Sequence, residues 1–206
     1  MIKAEVTVVG TVLQPTQTKK YPQGGYFFSS TLKTSVPQAG GGFKEVNVSI
    51  SAPQNESAGL DVLSVGQHVS LKGTLHFRKS GDLVYLNMLV KESGQAAPGL
   101  ADGISGDLSM IGAVGSRGVE MKTSKKGKPF MVFSAYSGDG DKDNRVFTWV
   151  RFTRFTGIAE PFLAPKAWIE ATGSLELQFF QDKLSISCIA REVKPYTKNA
   201  QENDHC

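Results

Sequence analysis

An internal duplication constrains this chain more than any other feature of its sequence, because a repeated block must fold as a repeated unit. Gly73-Thr74-Leu75 returns as Gly173-Ser174-Leu175, and Asp82 returns as Asp182, both at an offset of 100 residues. Val46, Val48 and Ile50 match Val146, Thr148 and Val150. Val69 and Leu71 match Ile169 and Ala171, and Leu86 and Met88 match Ile186 and Cys188. Near the start the offset is 102, where Val9-Gly10-Thr11-Val12 matches Ile111-Gly112-Ala113-Val114. Two copies are too few for a solenoid, so the pattern predicts a duplicated domain. Its first copy covers residues 1–93 and its second residues 107–196. The segment between them, 94–106, is rich in Gly, Ala, Ser and Pro, and predicts a flexible tether. Residues 197–206 are polar and predict a disordered tail.

Within the first copy, apolar residues alternate with polar ones, the period of a half-buried strand. The readings are strands at 4–13, 26–34, 43–51, 68–77 and 83–91, with one short helix at 54–64. Residues 14–25 read as a long loop and 36–42 as a turn. The second copy repeats the order, with strands at 107–115, 129–136, 145–153, 168–177 and 183–192 and a helix near 157–163. Five short strands with a helix between the third and fourth predict an all-β architecture: two tandem five-stranded oligonucleotide-binding (OB) barrels. Gly73 and Gly173 stand where a strand must bend at a barrel corner.

The chemistry-bearing residues exclude more than they suggest. His68, His76 and His205 fall at no metal-ligand spacing, and neither Cys188 nor Cys206 has a Cys-x-x-Cys partner. No phosphate loop and no Gly-x-Ser-x-Gly elbow occurs. The run Asp139–Asn144 begins like a calcium loop but has Asn144 where Gly belongs and Val150 where Glu belongs, so it reads as a polar hairpin tip. Asp82 and Asp182 read as turn residues. These features argue against an enzyme and imply no metal and no cofactor. No apolar run reaches the roughly 20 residues of a membrane helix. The first residues lack a secretory h-region and the two cysteines form no disulfide framework, which together predict a cytoplasmic protein. The net charge of +4 suits an anionic partner.

Alternation places the candidate site. Val146, Thr148 and Val150 point into the second barrel, so Phe147, Trp149 and Arg151 point out. Two aromatics and a guanidinium on a solvated strand suit stacking on unpaired bases, though the same rings could pack under a loop or at a subunit interface. Lys19-Lys20-Tyr21 in the first copy and Lys122, Lys125, Lys126 and Lys128 in the second place lysines in the loop before the second strand, where phosphates could be met. Arg154 adds charge beside Trp149, and Tyr26 is a further candidate for an outward ring.

The stretch Trp149-Val150-Arg151-Phe152, Phe155, Ala159-Glu160, Phe162-Leu163, Trp168-Ile169-Glu170 and Gly173-Ser174-Leu175 resembles the bacterial single-stranded DNA-binding protein family. The resemblance covers part of the second copy and, through the duplication, extends weakly to the first. It implies OB barrels and sequence-tolerant binding of single-stranded DNA in replication, recombination or repair. It also implies base stacking at Trp149, Phe155 and Phe180. By the same resemblance a homodimer would bring four barrels together in the cytoplasm on the nucleoid, with replication or recombination proteins as further partners. The chain departs from the family in being a tandem pair and in ending Gln201–Cys206 without an acidic, apolar-tipped tail. That departure puts tail-mediated recruitment in doubt and suggests a phage or mobile-element relative.

The first copy differs where the second is aromatic. Asn47, Ser49 and Ser51 match Phe147, Trp149 and Arg151, Asn55 matches Phe155, and Ser80 matches Phe180. This asymmetry predicts that the second copy is the stronger binder. Single-stranded RNA, or a protein partner with no nucleic acid at all, remain the alternative occupants.

Overall fold

The computed structural model describes residues 2–56, 58–140, 145–158 and 160–197, and the described residues hold eleven strands and no α-helix. The first copy contains β1 (Ile2–Val12), β2 (Gln17–Lys20), β3 (Tyr26–Pro37), β4 (Phe43–Pro53), β5 (His68–Ser80) and β6 (Leu83–Gln95). The second contains β7 (Gly103–Thr123), β8 (Pro129–Asp139), β9 (Val146–Arg154), β10 (Trp168–Phe180) and β11 (Lys183–Pro195). Each alternates as its sequence requires: β10 reads buried at Ile169, Ala171, Gly173, Leu175 and Leu177 and less buried between them.

The pairings close each copy on itself. In the first, β1 meets β5, β5 meets β6, β6 meets β4 in parallel, β4 meets β3, and β3 returns to β1 at Thr11↔Lys33. In the second, β7, β10, β11, β9 and β8 form the same circuit, again with one parallel pair, β9 with β11. These are two closed five-stranded OB barrels. Closure leaves few open edges, and the interiors fill with apolar side chains: Leu32, Ile50, Leu71, Leu75 and Met88 in one, Met131, Phe152 and Ile169 in the other. Phe133 and Phe152 stack at 5.0 Å inside the second barrel.

The corner glycines have a shared cause. The β5–β6 register shifts at Lys72/Gly73 and the β10–β11 register at Thr172/Gly173. A Cβ on Gly73 would strike the Leu89 carbonyl oxygen, and one on Gly173 the Ile189 carbonyl oxygen. Each bulge throws one basic residue outward. Lys91 Nζ then reaches Glu5 Oε2 at 2.9 Å, and Arg191 Nη2 reaches Asp107 Oδ2 at 2.6 Å.

Two expectations are corrected. No helix fills 54–64. Instead there are 3-10 turns at Gln54–Glu56 and Leu60–Val62, and the described residues of 157–163 form only turns and bends. Ala58 and Gly59 both take positive φ, which ends any helix there. Only Leu60 is buried in the second turn, so no amphipathic stripe exists to hold a longer one.

The segment 94–106 is not a flexible tether. β6 runs to Gln95, β7 begins at Gly103, and Gly103–Met110 lies antiparallel along Ile2–Val9 of β1. β5 occupies one edge of β1, and the backbone groups on its other edge need partners. The second copy supplies them. Between the strands Ala96 is buried, and His68 Nε2 lies 2.9 Å from Asp102 Oδ1. The copies also meet at their hairpin tips, where Lys44 pairs with Asp182 at 2.6 Å and Lys183 with Asp82 at 3.0 Å. The two aspartates thus join the copies as well as serving turns. Of the tail, Thr197 is described and residues 198–206 lie outside the described residues.

Candidate nucleic-acid interface

β9 carries the site because its inward residues are fixed by the barrel. Thr148, Val150 and Phe152 are buried, which forces Phe147, Trp149 and Arg151 outward. Phe147 and Trp149 keep 42% and 49% of their surface in solvent, enough to leave a ring face free for a base. Val146 departs from the expected inward position: it opens the strand opposite Asp139, beyond the barrel rim, and is exposed.

The cross-strand partner of Trp149 is Tyr136 on β8. Its ring lies 4.8 Å from Trp149 and 5.3 Å from Phe147, tilted against the first and edge-on to the second. Three rings therefore form one strip. Glycine makes the strip lie close to the backbone: a Cβ on Gly115 would come within 3.0 Å of the Trp149 ring, and one on Gly138 would meet the side chains of Arg145 and Phe147.

Beside the strip runs an open groove of about 460 Å³, lined by Trp149, Arg151, Arg117, Lys122, Ser116 and Ser134 among others. Its far wall is the β7–β8 hairpin. β7 continues past the expected end at 115, with an irregularity between Val114 and Val119, and turns only at Ser124–Lys128. The hairpin thus extends past the barrel, with Lys125, Lys126 and Lys128 exposed at and beside its turn. Lys122 Nζ sits 3.1 Å from Glu120 Oε2, an exposed pair that solvent weakens. Among the described residues Arg117, Arg151, Lys125, Lys126 and Lys128 have no carboxylate partner, so their charge is available to a phosphate.

The remaining candidates lie apart. Arg154 does not line this groove and forms a salt bridge, Nη2 to Glu160 Oε1 at 2.7 Å, with both side chains only about a fifth exposed. The Glu160 carboxylate offsets its charge there. Phe155 is 68% exposed and its ring is 6.1 Å from Phe130. Phe180 is 59% exposed at the β10–β11 turn. Neither lines the groove. In the first copy Lys19 and Lys20 are exposed on β2, Tyr21 packs on Phe27 at 4.5 Å, and Tyr26 is half-exposed beside a shallow cleft with Gln54 and Asn55. Asn47 and Ser49 occupy the outward positions of β4 that Phe147 and Trp149 occupy on β9.

Tyr136 and Arg117 were not legible as site residues. Tyr136 joins the strip only through the β8–β9 register, and Arg117 reads as a loop residue until β7 is seen to continue through it. Cys188 is buried, and burial pushes its thiol up to about 12, so it stays protonated and inert. Of the aspartate-rich tip, Asp141–Asn144 lie outside the described residues, as do Met1, Ser57 and Ala159. Among the described residues no helix is long and apolar enough to cross a membrane, and no three His, Cys, Asp or Glu residues gather as metal ligands do.

Fold and site together define a tandem OB-barrel protein with an aromatic, cationic outer face on its second barrel. No family model matches the sequence, and no curated protein does. Solved structures are similar to it. A deletion variant of the single-stranded DNA-binding protein from Thermus aquaticus aligns over 98% of this chain and 98% of its own, at 15% identity and a TM-score of 0.46. A mitochondrial single-stranded DNA-binding protein from S. cerevisiae aligns over 44% of this chain and 93% of its own, at 15% identity and a TM-score of 0.37. PriB from Ralstonia solanacearum aligns over 46% and 98%, at 15% identity and a TM-score of 0.36.

Proposed function

We propose that this chain binds single-stranded DNA with little regard to sequence and protects it during replication, recombination or repair, without catalysing a reaction. The observation that carries this reading is the strip of Phe147, Tyr136 and Trp149 lying beside a groove whose guanidinium groups lack carboxylate partners among the described residues. Rings accept any base, because every base has a π-face, and cations follow the phosphates. The strip and the groove run side by side, as a strand's bases and its backbone do. Lys122, Lys125, Lys126 and Lys128 on the β7–β8 hairpin flank the same path. The second copy is the main binder, since the outward face of β4 offers Asn and Ser instead. A homodimer of four barrels belongs to the same reading, and sedimentation of the purified chain measures it.

The test is a fluorescence titration with oligo-dT at two salt concentrations, repeated with Trp149→Ala and Tyr136→Ala. Loss of one stacking ring removes about 1–3 kcal/mol per base, roughly five- to 150-fold in affinity. The native affinity falls as salt rises, because bound phosphates release counterions. A Trp149→Ala variant that binds as tightly as the native chain refutes the reading. So does affinity that ignores salt.

A further inference from the structure

Trp149 stands on β9, but its ring is fixed in part by β7, the second strand away in the order β9–β8–β7. Neighbouring strands lie about 4.8 Å apart, so an indole that touches β7 must lean across β8 to span roughly 10 Å. Trp149 does so at Gly115. A Cβ built there would stand 3.0 Å from Trp149 Cζ3 and 3.5 Å from Cη2, the far edge of the six-membered ring. Gly115 is itself buried, although Ser116 and Arg117 beside it are exposed. Tyr136 on β8 meets the indole from another side, with ring centroids 4.8 Å apart. The indole is thus caught between a second ring and bare backbone, and Trp149 still keeps 49% of its surface in solvent.

The backbone does not ask for glycine at 115. Gly118, in the same irregular stretch of β7, takes a φ of +66°, which L side chains rarely adopt. Gly115 takes no positive φ, so its lack of a side chain answers to its neighbours instead. Those neighbours are the indole and the Ser134 carbonyl oxygen, 3.2 Å from the same Cβ. The first copy supplies a comparison. At the offset of 102 that relates the start of the two copies, Leu13 takes the place of Gly115, and the outward residues Asn47, Ser49 and Ser51 of β4 offer no ring. Where no ring needs a seat, a large side chain stands in its place.

We propose that Gly115 is a positioning residue for base stacking: it seats the Trp149 indole across β8 and presents the ring to a base in one fixed orientation before DNA arrives. A ring fixed in advance binds without first losing rotamer freedom, so the seat adds affinity while making no contact of its own with DNA. This inference rests on the reading that the strip of Phe147, Tyr136 and Trp149 holds single-stranded DNA.

Gly115→Ala adds the one methyl group for which the seat has no room. In the full-length chain it weakens oligo-dT binding about fivefold and leaves the salt slope unchanged, because no phosphate contact is lost. Trp149→Phe deletes the far edge of the indole and keeps a stacking ring, so on that background Gly115→Ala costs less than about twofold. With Trp168→Phe in place, Trp149 is the one indole left, and Gly115→Ala opens its emission to acrylamide quenching. The proposal is overturned if Gly115→Ala binds oligo-dT like the native chain, if quenching of the indole is unchanged, or if the substitution costs as much beside Trp149→Phe as beside Trp149. Trp149→Ala alone decides the parent reading. If it binds like the native chain, the strip holds no DNA, whereas a weak Trp149→Ala beside a native-like Gly115→Ala sinks the seat and leaves the strip standing.

Discussion

Replacing Glu160 by Gln separates the two arginines at the end of β9. Arg154 Nη2 and Glu160 Oε1 lie 2.7 Å apart, with side chains 21% and 20% exposed, and Arg154 Nη1 and Glu160 Oε2 are buried with no partner of their own. Removing one member of a fully buried pair costs about 3–5 kcal/mol, because the other charge stays desolvated. A fifth of each side chain already meets water here, so we expect a loss of about 2 kcal/mol. For a chain of this size that lowers the melting temperature by about 4–8 °C. The double variant Arg154→Met, Glu160→Met keeps the packing and removes both charges, so it recovers most of the loss. Urea titrations of the native, single and double variants give the coupling directly. DNA binding supplies the second readout. Arg154→Met leaves the salt slope of oligo-dT affinity unchanged, since its charge is spent on Glu160, while Arg151→Met lowers it by about 0.7. If Glu160→Gln melts within about 1 °C of native, or if Arg154→Met lowers the slope as far as Arg151→Met does, the salt bridge does not hold Arg154 away from phosphate.

Other outcomes follow from the same structure. Gly173→Ala drives a Cβ into the Ile189 carbonyl at the barrel corner, and we expect a loss of about 2–3 kcal/mol in urea denaturation; a loss under about 0.5 kcal/mol would mean that the bulge is not fixed. Hydrogen bonds from Lys91 and Thr74 hold the Glu5 carboxyl below its usual range. A depressed carboxylate stabilises above its unfolded value and loses that contribution as pH falls through the folded one. Stability of the native chain should therefore drop below about pH 4.5 more steeply than that of Glu5→Gln, by under about 1 kcal/mol because the pair is half-exposed. Parallel urea midpoints at pH 6 and pH 3 would show no difference if the contact is absent. Gln181 and Asp182 both take positive φ in the β10–β11 turn, so Gln181→Asn, which tolerates that conformation better, raises stability by about 0.5–1 kcal/mol; a fall in the urea midpoint would count against the turn geometry.

What the sequence disclosed depended on how local the signal was. Strand order, barrel corners and the outward turn of Phe147, Trp149 and Arg151 follow from period-2 alternation and from glycines at matched positions, all within one strand. The helix at 54–64 failed because nothing in that window counts how many side chains the barrel can cover; among its described residues Leu60 is fully buried, while Ala58 and Leu63 only lean against the core. The tether at 94–106 failed for a related reason. Small residues mark backbone freedom, but Gly103–Met110 is ordered by a vacant edge on β1, more than 90 residues earlier in the chain. The pairing of Arg154 with Glu160 was not legible because the two stand on opposite sides of a loop.

Duplication explains why the site was half legible. Both copies must close the same barrel, so inward residues stay alike: Val48 and Ile50 beside Thr148 and Val150, Leu75 beside Leu175. Outward residues are released from that demand and are free to diverge. Comparing copies position by position therefore finds the strip on β9 and, by the same logic, reports the first copy as blank, since Ser49 and Ser80 stand where Trp149 and Phe180 do. In a chain whose two barrels share one sheet, outward residues of one copy need match nothing in their twin.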